Sequence, residues 1–194
     1  MIERLRNTAR EIQALFEQID SDVKGFQHRT GITCTAGCGH CCNNPGIEAA
    51  PEEFFLLALS LWENGTSMEF LRMLEKDEGG GVCVFYSHKQ SNPDAGYCTR
   101  YEHRALICRL FGFSTMHDKT GSLHLAACAA IRNQVRPDSL ETSGGSTLSP
   151  GMEIYSGQYE DIFGGAFQKK YPINTAMKMA VEKMGYLFDN TPAV

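Results

Sequence analysis

Four cysteines are crowded into one short segment, at the spacing Cys34-x3-Cys38-x2-Cys41-Cys42. The segment, residues 28–46 (HRTGITCTAGCGHCCNNPG), contains four glycines and almost no large apolar side chains, so hydrophobic burial alone cannot order it. Glycines let a backbone turn so that several sulfurs can converge on one point. Zinc takes four ligands at about 2.3 Å and a four-iron cluster takes four thiolates. The spacing therefore predicts a zinc or an iron–sulfur centre.

The two adjacent cysteines of this segment are not equivalent. Side chains of neighbouring residues normally diverge, so Cys41 and Cys42 are not expected to serve one small ion together. One of them would ligate while the other faces a second centre or the protein core. His40, between Cys38 and Cys41, is a further candidate ligand, with an ordinary exposed loop histidine as the alternative.

Length and charge narrow the roles that so many cysteines can have. With 194 residues and a net charge of −5, the protein can build its own core without disulfides, and neither nucleic acid nor a membrane is expected as a partner. The N-terminus shows no apolar signal region, and no run of 18 apolar residues occurs. We expect a cytoplasmic protein whose thiols stay reduced, and the sequence leaves any protein partner unidentified.

The four remaining cysteines are ambiguous from their local sequence. Cys83 and Cys128 stand in apolar runs typical of buried small residues. Cys98 and Cys108 can share a site only if the helix between them is shorter than their interval. Three arginines flank this second pair, and they would either offset the negative charge of clustered thiolates or lie on the surface: Arg100, Arg104 and Arg109.

The rest of the chain predicts an α+β fold: one mainly helical domain with a short β-hairpin and a cysteine-ligated metal-binding loop. Apolar residues at helical spacing over residues 2–19 predict a helix, and others are expected after Pro51, from Ser67 to about Glu78, over 126–135, and after an N-cap at Asn174 or Thr175. A strand is expected at 82–86 and a loop at 87–96. A β-hairpin is expected with its turn at 117–121, and an exposed loop at 138–151. We predict an N-terminal amphipathic helix at 1–27, a cysteine-cluster domain at 28–136, and a loop and helix at 137–194 that pack on the same domain.

Taken together, these residues resemble the YkgJ-like cysteine-cluster family, with its C-x-x-C-C signature. The likeness extends through Cys83, Cys98-Thr99-Arg100-Tyr101-Glu102-His103-Arg104 and Cys108-Arg109, over about residues 30 to 130. Ala105 departs from the pattern, which has proline there. The resemblance implies zinc or iron chelation, or an iron–sulfur cluster, and makes all eight cysteines candidate ligands: Cys34, Cys38, Cys41, Cys42, Cys83, Cys98, Cys108 and Cys128.

Two further functional classes remain open at this point. The spacing Cys34-x3-Cys38-x2-Cys41 also occurs in radical-SAM enzymes, which suggests an iron–sulfur oxidoreductase or radical-SAM-like enzyme, although repeated strand–helix units are missing. Cys38-Gly-His-Cys41 would alternatively suit a thiol redox or regulatory protein. No Walker A, G-x-S-x-G or H-E-x-x-H motif occurs, so the sequence assigns no catalytic residue. Between the metals, an iron–sulfur cluster is preferred over zinc.

Overall fold

A computed structural model describes residues 2–34, 38–76, 81–89, 92–133, 149–165 and 169–189. It confirms the mainly helical α+β domain with small two-stranded antiparallel sheets. In chain order the elements are α1 (Ile2–Thr30), β1 (Glu48–Ala49), a 3₁₀ helix (Pro51–Phe54), α2 (Phe55–Glu63), α3 (Ser67–Glu75), β2 (Tyr86–Lys89), β3 (Asn92–Cys98), a 3₁₀ helix (Tyr101–His103), α4 (Leu106–Leu110), β4 (Thr115–His117), β5 (Leu123–Leu125), α5 (Ala129–Arg132), α6 (Met152–Ile162), β6 (Tyr171–Pro172) and α7 (Ile173–Asp189). Within the described ranges, no helix combines the length and apolar character needed to cross a bilayer.

Helix α1 follows the predicted apolar stripe and extends it. The buried face continues past Ile19 through Val23 and Phe26, so the helix is longer than the 2–19 pattern. It ends because Gly31 adopts a left-handed conformation (φ 70°) and its N–H donates to the carbonyl of Gln27 at 2.9 Å, a common helix terminus. The chain therefore leaves α1 three residues before Cys34.

Three groups of buried side chains make up the interior. The main core lies chiefly between α2 and α7, for example Leu57 and Val181, and the Trp62 indole N–H donates to the Val181 carbonyl at 2.8 Å. A second group joins α1 to α4 and α6 through residues such as Phe16 and Tyr159. A third, the small cluster, consists of Phe26, Ile32, Leu125, Ala127 and Ile131. Cys83, Cys98 and Cys108 pack on the main core, and Cys128 packs on the small cluster.

The two hairpins differ in how well the sequence predicted them. Strands β4 and β5 flank the expected turn, with Gly121 at φ 82°, and confirm that hairpin. The predictions of a strand at 82–86 and of a loop at 87–96 are wrong. Strands β2 and β3 pair with each other instead, beginning with Tyr86 opposite Cys98. Strand β3 reads NPDAGYC, and Asn, Pro, Asp and Gly are all disfavoured in strands. A two-stranded ribbon consists only of edges, which tolerate proline.

Several predicted boundaries also differ. Pro51 begins a 3₁₀ helix, α3 ends at Glu75, and α6 was not predicted. Asn174 is no N-cap: it lies inside α7, and its side chain accepts the Val84 N–H at 3.0 Å and donates to the Val82 carbonyl at 3.1 Å. The helix expected at 126–135 is confined to Ala129–Arg132 among the described residues. Most of the predicted 138–151 loop lies outside the described residues.

Candidate metal centre

All eight cysteines line a single cavity of about 530 Å³. The remaining wall is largely apolar and includes Phe54, Phe85 and Phe111. The structure thus brings the 34–42 loop against Cys98 and Cys108, and it adds Cys83 and Cys128, whose local sequence left their role open.

The β2–β3 hairpin holds two of the cysteines at one end. Tyr86 pairs with Cys98 in the strand register, and its backbone N–H donates to the Cys83 carbonyl at 2.8 Å. Burial raises the pKa of the Cys83 thiol to about 11, although the N–H groups of Phe85 and Tyr86 hydrogen-bond to its sulfur and act in the opposite direction. Burial also raises the pKa of Cys98, whose sulfur accepts the Arg100 N–H. Backbone N–H groups directed at sulfurs stabilise thiolates.

Helix α4 presents Cys108 to the cavity, and a buried carboxylate fixes that helix. Glu53 is 4% exposed, and its two oxygens accept the N–H of Ala50 at 3.0 Å and the N–H of Ile107 at 2.9 Å. Glu53 thereby satisfies a donor in the first turn of α4. Burial raises the pKa of Cys108 to about 12, so the free thiol is neutral at pH 7.

The 38–43 segment is held against the hairpin through two glycines. Gly39 has φ 62°, and the N–H groups of Cys42 and Asn43 both donate to its carbonyl at 2.9 Å. The Tyr86 ring lies where a β-carbon of Gly39 would stand, and it occupies the corresponding space at Gly96. The glycine in Cys38-Gly-His-Cys41 therefore serves both a left-handed turn and a close approach to Tyr86.

Cys41 and Cys42 have their sulfurs 3.9 Å apart, yet they differ in electrostatic surroundings. The hydrogen bond from Cys42 lowers the pKa of Cys41 to about 6, and Arg104 contributes in the same direction. The pKa of Cys42 is raised, first by that bond, then by burial and by the nearby sulfurs of Cys108 and Cys98. Cys41 also raises the pKa values of Cys98 and Cys108, so both neighbouring thiols lie near α4 and the hairpin.

The other end of the cavity contains Cys34, Cys38 and Cys128. Cys128 packs on the small cluster, which also includes Ile32 just before Cys34. The pKa of Cys34 is raised to about 11, chiefly by burial and then by the nearby sulfurs of Cys38, Cys41 and Cys128. Cys128 therefore packs on a different part of the interior from Cys83, Cys98 and Cys108.

The three candidate arginines have different positions. Arg104 lines the cavity with its guanidinium stacked 3.6 Å above the Tyr101 ring, and its charge lowers the pKa values of Cys98 and Cys108 against the larger effect of burial. Arg100 is exposed and also lines the cavity. Arg109 is buried and donates to Asp20 at 2.6 Å, in a second cavity. The structure therefore brings Arg100 and Arg104, and not Arg109, to the cysteine cavity.

Sequence reasoning missed Glu53, Tyr86 and Asp20. Nothing in the residues around Glu53 indicates its role, because its carboxylate bonds to α4 across 54 residues. Asp20 pairs with Arg109 and lies 3.6 Å from Arg104. The one local sign of the Tyr86 contact is the glycine at position 39, since a glycine often marks a place where another group approaches the backbone closely. Two histidines, His40 and His103, also line the cavity, and burial lowers the pKa of His103.

The donor set suits a thiophilic metal. Thiolate sulfur is the preferred ligand of zinc and of iron–sulfur clusters, and all eight thiols of the chain face one space with Arg104 beside them. Among the described residues, no group of three or more His, Cys, Asp or Glu side chains is already gathered into a finished ion site. Ligands commonly converge only as the metal binds, so the fit rests on ligand type and shared location.

Comparison with known proteins agrees with this chemistry. Residues 33–130 match the CxxCxxCC family, whose description is "Putative zinc- or iron-chelating domain". No curated protein and no solved structure matched the chain. The matched segment covers half of the sequence and runs from just before Cys34 to just after Cys128, so the chain belongs to the CxxCxxCC family.

Proposed function

We propose that this protein binds zinc or iron through its clustered cysteines, with the metal held in the cysteine-lined cavity. The observation that carries the proposal is that eight cysteines from five separate stretches of chain line the same space. Chance burial of small apolar residues would distribute them through the core, because an isolated cysteine packs like any small apolar side chain. The family's zinc- or iron-chelating description supports the same conclusion.

Within that function, an iron–sulfur cluster is our preferred occupant in the cell. Three observations support it: the close spacing of Cys34, Cys38 and Cys41, the N–H groups directed at the Cys83 and Cys98 sulfurs, and the size of the cavity. A zinc ion with bonds of about 2.3 Å would fill only a small part of such a space. A bound cluster would supply electron transfer or Lewis acidity, while the chain's residues supply thiolates, N–H donors and the Arg104 charge.

The protein should be purified anaerobically and analysed for metal, acid-labile sulfide and visible absorption. Iron and sulfide in equal amounts, with a brown colour, are the expected result. A colourless protein with stoichiometric zinc would reject the cluster and keep the metal-binding function. A protein with neither metal, even after reconstitution, would reject both.

A matched pair of variants separates ligation from packing. Cys38→Ser changes a half-buried loop cysteine, and we expect it to reduce the metal content of the purified protein. Ser60→Ala in α2 is a control, since its hydroxyl accepts a hydrogen bond from the exposed Asn64 side chain, away from the cysteine cavity. Equal metal content in the two variants would contradict a ligand role for Cys38.

The molecular setting follows from the same proposal. We propose that the protein acts in the cytoplasm, where thiols remain reduced and able to ligate metal. Its partner is the metal ion or cluster, together with a protein that the structure does not identify. The division into an N-terminal helix, the 28–136 cysteine domain and the 137–194 segment stays a prediction.

A further inference from the structure

The cysteine cavity opens to solvent beside two exposed tyrosines. Tyr97, near the end of β3, is 49% exposed, and Tyr101, at the start of the following 3₁₀ helix, is 61% exposed, although both residues line the cavity. Together with Arg100 and Arg104, which also line it, they form the cavity mouth. Tyrosine and arginine are the residue types that most often carry the binding energy of protein interfaces. The composition of the mouth is therefore typical of a contact surface.

Arg104 holds the Tyr101 ring in its exposed position. The guanidinium stacks 3.6 Å above the ring centroid, and its Nε donates to the Tyr101 carbonyl at 3.0 Å. The same guanidinium lies 3.6 Å from the carboxylate of Asp20 on α1. A side chain that is ordered in advance loses little entropy when a partner covers it. Tyr101 is thus suited to anchor a partner at the mouth.

The basic side chains at the cavity have no acidic counterpart within its walls. The described residues that line the cavity include two arginines and two histidines but no aspartate or glutamate, in a chain with 23 acidic and 18 basic residues. Asp20 and Glu102 line the second cavity instead. Arg100 is exposed, so its charge faces solvent. This local excess of positive charge complements an acidic surface.

Metal binding would change the charge of the mouth. Thiols release their protons when they bind a metal. A divalent ion that displaces the protons of four thiols therefore lowers the local charge by about two, which offsets Arg100 and Arg104. An acidic partner is attracted to the metal-free chain and loses that attraction when the site is filled.

We propose that the cavity mouth is a docking surface for a partner protein with an acidic face, and that this partner binds the metal-free chain. The preference for the metal-free chain rests on the metal-binding function argued above. Nucleic-acid recognition typically uses a broad basic surface, whereas this chain has a net charge of −5. A small anion inside the cavity would leave the exposed rings uncovered, but a protein face can cover the rings and both arginines together. A partner docked there is placed to deliver metal and is released once the site is filled.

Binding of a fluorescently labelled oligo-glutamate peptide to the reduced, metal-free full-length chain tests this surface. Anisotropy at low ionic strength should show binding that weakens as salt is added. Arg100→Glu should weaken it by about tenfold. Arg72→Glu on α3 makes the same change in net charge away from the cavity and should leave the affinity nearly unchanged. Protein loaded with Zn²⁺, after removal of unbound ions, should bind the peptide more weakly than the metal-free chain.

No binding of the peptide, or equal weakening by Arg100→Glu and Arg72→Glu, would overturn the docking surface. Equal affinities of the loaded and metal-free chains would overturn the preference for the metal-free chain. A Zn²⁺ titration against a chromophoric chelator shows separately whether the chain binds metal, so a failure of that function is distinguished from a failure of the surface. Displacement of the peptide by free glutamate at the same carboxylate concentration would reject a protein partner in favour of small anions. Tighter, Arg100-dependent binding of a single-stranded oligonucleotide would reject it in favour of nucleic acid.

Discussion

The backbone of Gly39 lies so close to Tyr86 that a β-carbon on Gly39 would stand 2.5 Å from Cε2 of the ring. This contact attaches the cysteine loop to the β2–β3 hairpin. Gly39 also has φ 62°. An alanine there would destabilise the fold in two ways, through the left-handed backbone conformation and through a steric clash with Tyr86. Gly39 therefore joins the cysteine loop to the hairpin, two of the segments that line the cysteine cavity.

We expect Gly39→Ala to lower the free energy of unfolding by about 2–5 kcal/mol, from left-handed strain of about 1–2 kcal/mol and overpacking of about 1–3 kcal/mol. Gly65→Ala is the matched control, because Gly65 has φ 70° and open space around it. Its free energy of unfolding should fall only by the left-handed strain of about 1–2 kcal/mol. Urea unfolding of the apoprotein measures both. Equal losses would show that Tyr86 exerts no steric demand.

Glu53→Ala should destabilise the fold by about 2–6 kcal/mol, because the buried N–H groups of Ala50 and Ile107 lose their acceptor and each costs about 1–3 kcal/mol. Metal affinity should fall too, since Ile107 directly precedes Cys108. Glu63→Ala, which breaks an exposed pair with Arg6, should cost less than about 1 kcal/mol. Chemical unfolding together with a Zn²⁺ titration gives both quantities. A Glu53→Ala protein as stable as Glu63→Ala would refute this role.

Asp20 and Arg109 should be energetically coupled. The Arg109 side chain is 6% exposed and bonds to Asp20 at 2.6 Å. Removal of either partner should cost about 1.5–3 kcal/mol, the range for a hydrogen bond to a charged group, and the double variant should lose less than the sum of the two. A double-mutant cycle of Asp20→Ala and Arg109→Ala measures the coupling, with the exposed pair Glu3 and Arg10 as reference. Additive losses would show that the contact contributes nothing.

Arg104→Met should weaken Zn²⁺ binding, on the order of tenfold, as is typical when a group beside the ligands is lost. Methionine keeps part of the apolar stem and removes the charge that favours the thiolates of Cys41, Cys98 and Cys108. Arg72→Met on α3 serves as the charge-matched control. Competition with a chromophoric chelator gives the two affinities. Unchanged affinity in Arg104→Met would show that its charge does not act on the bound metal.

Metal removal should expose the thiols and loosen the domain. We expect few reactive thiols in the loaded protein and eight after chelation under reducing conditions, with a lower Tm because binding energy is then lost from the folded state. Thiol titration and thermal unfolding, before and after chelation, check this. A loaded protein in which all eight thiols react at once would contradict ligation.

The sequence predicted well those features that depend on a pattern of nearby residues. The α1 stripe repeats over several turns, and Gly121 marks the β4–β5 turn. The short spacing of Cys34, Cys38, Cys41 and Cys42 likewise predicted that they lie close together, and all four line one cavity. Strand β3 was missed because its composition favours a loop, and only pairing with β2 makes it a strand.

The rest of the candidate site depends on long-range packing. The Glu53 contact with Ile107 spans 54 residues and that of Asn174 with Val84 spans 90. Such contacts leave no periodic signal in the sequence. The grouping of the distant cysteines follows from which core each one packs against, and neither core is visible in the residues around any single cysteine.

Cys83, Cys98 and Cys108 pack on the main core, and this packing bears on how readily a bound metal ion could be released. Side chains that a packed core already holds in place lose little conformational entropy when an ion arrives. A metal ion bound by these three thiols would therefore be retained, because its release would leave three half-buried sulfurs without their cation.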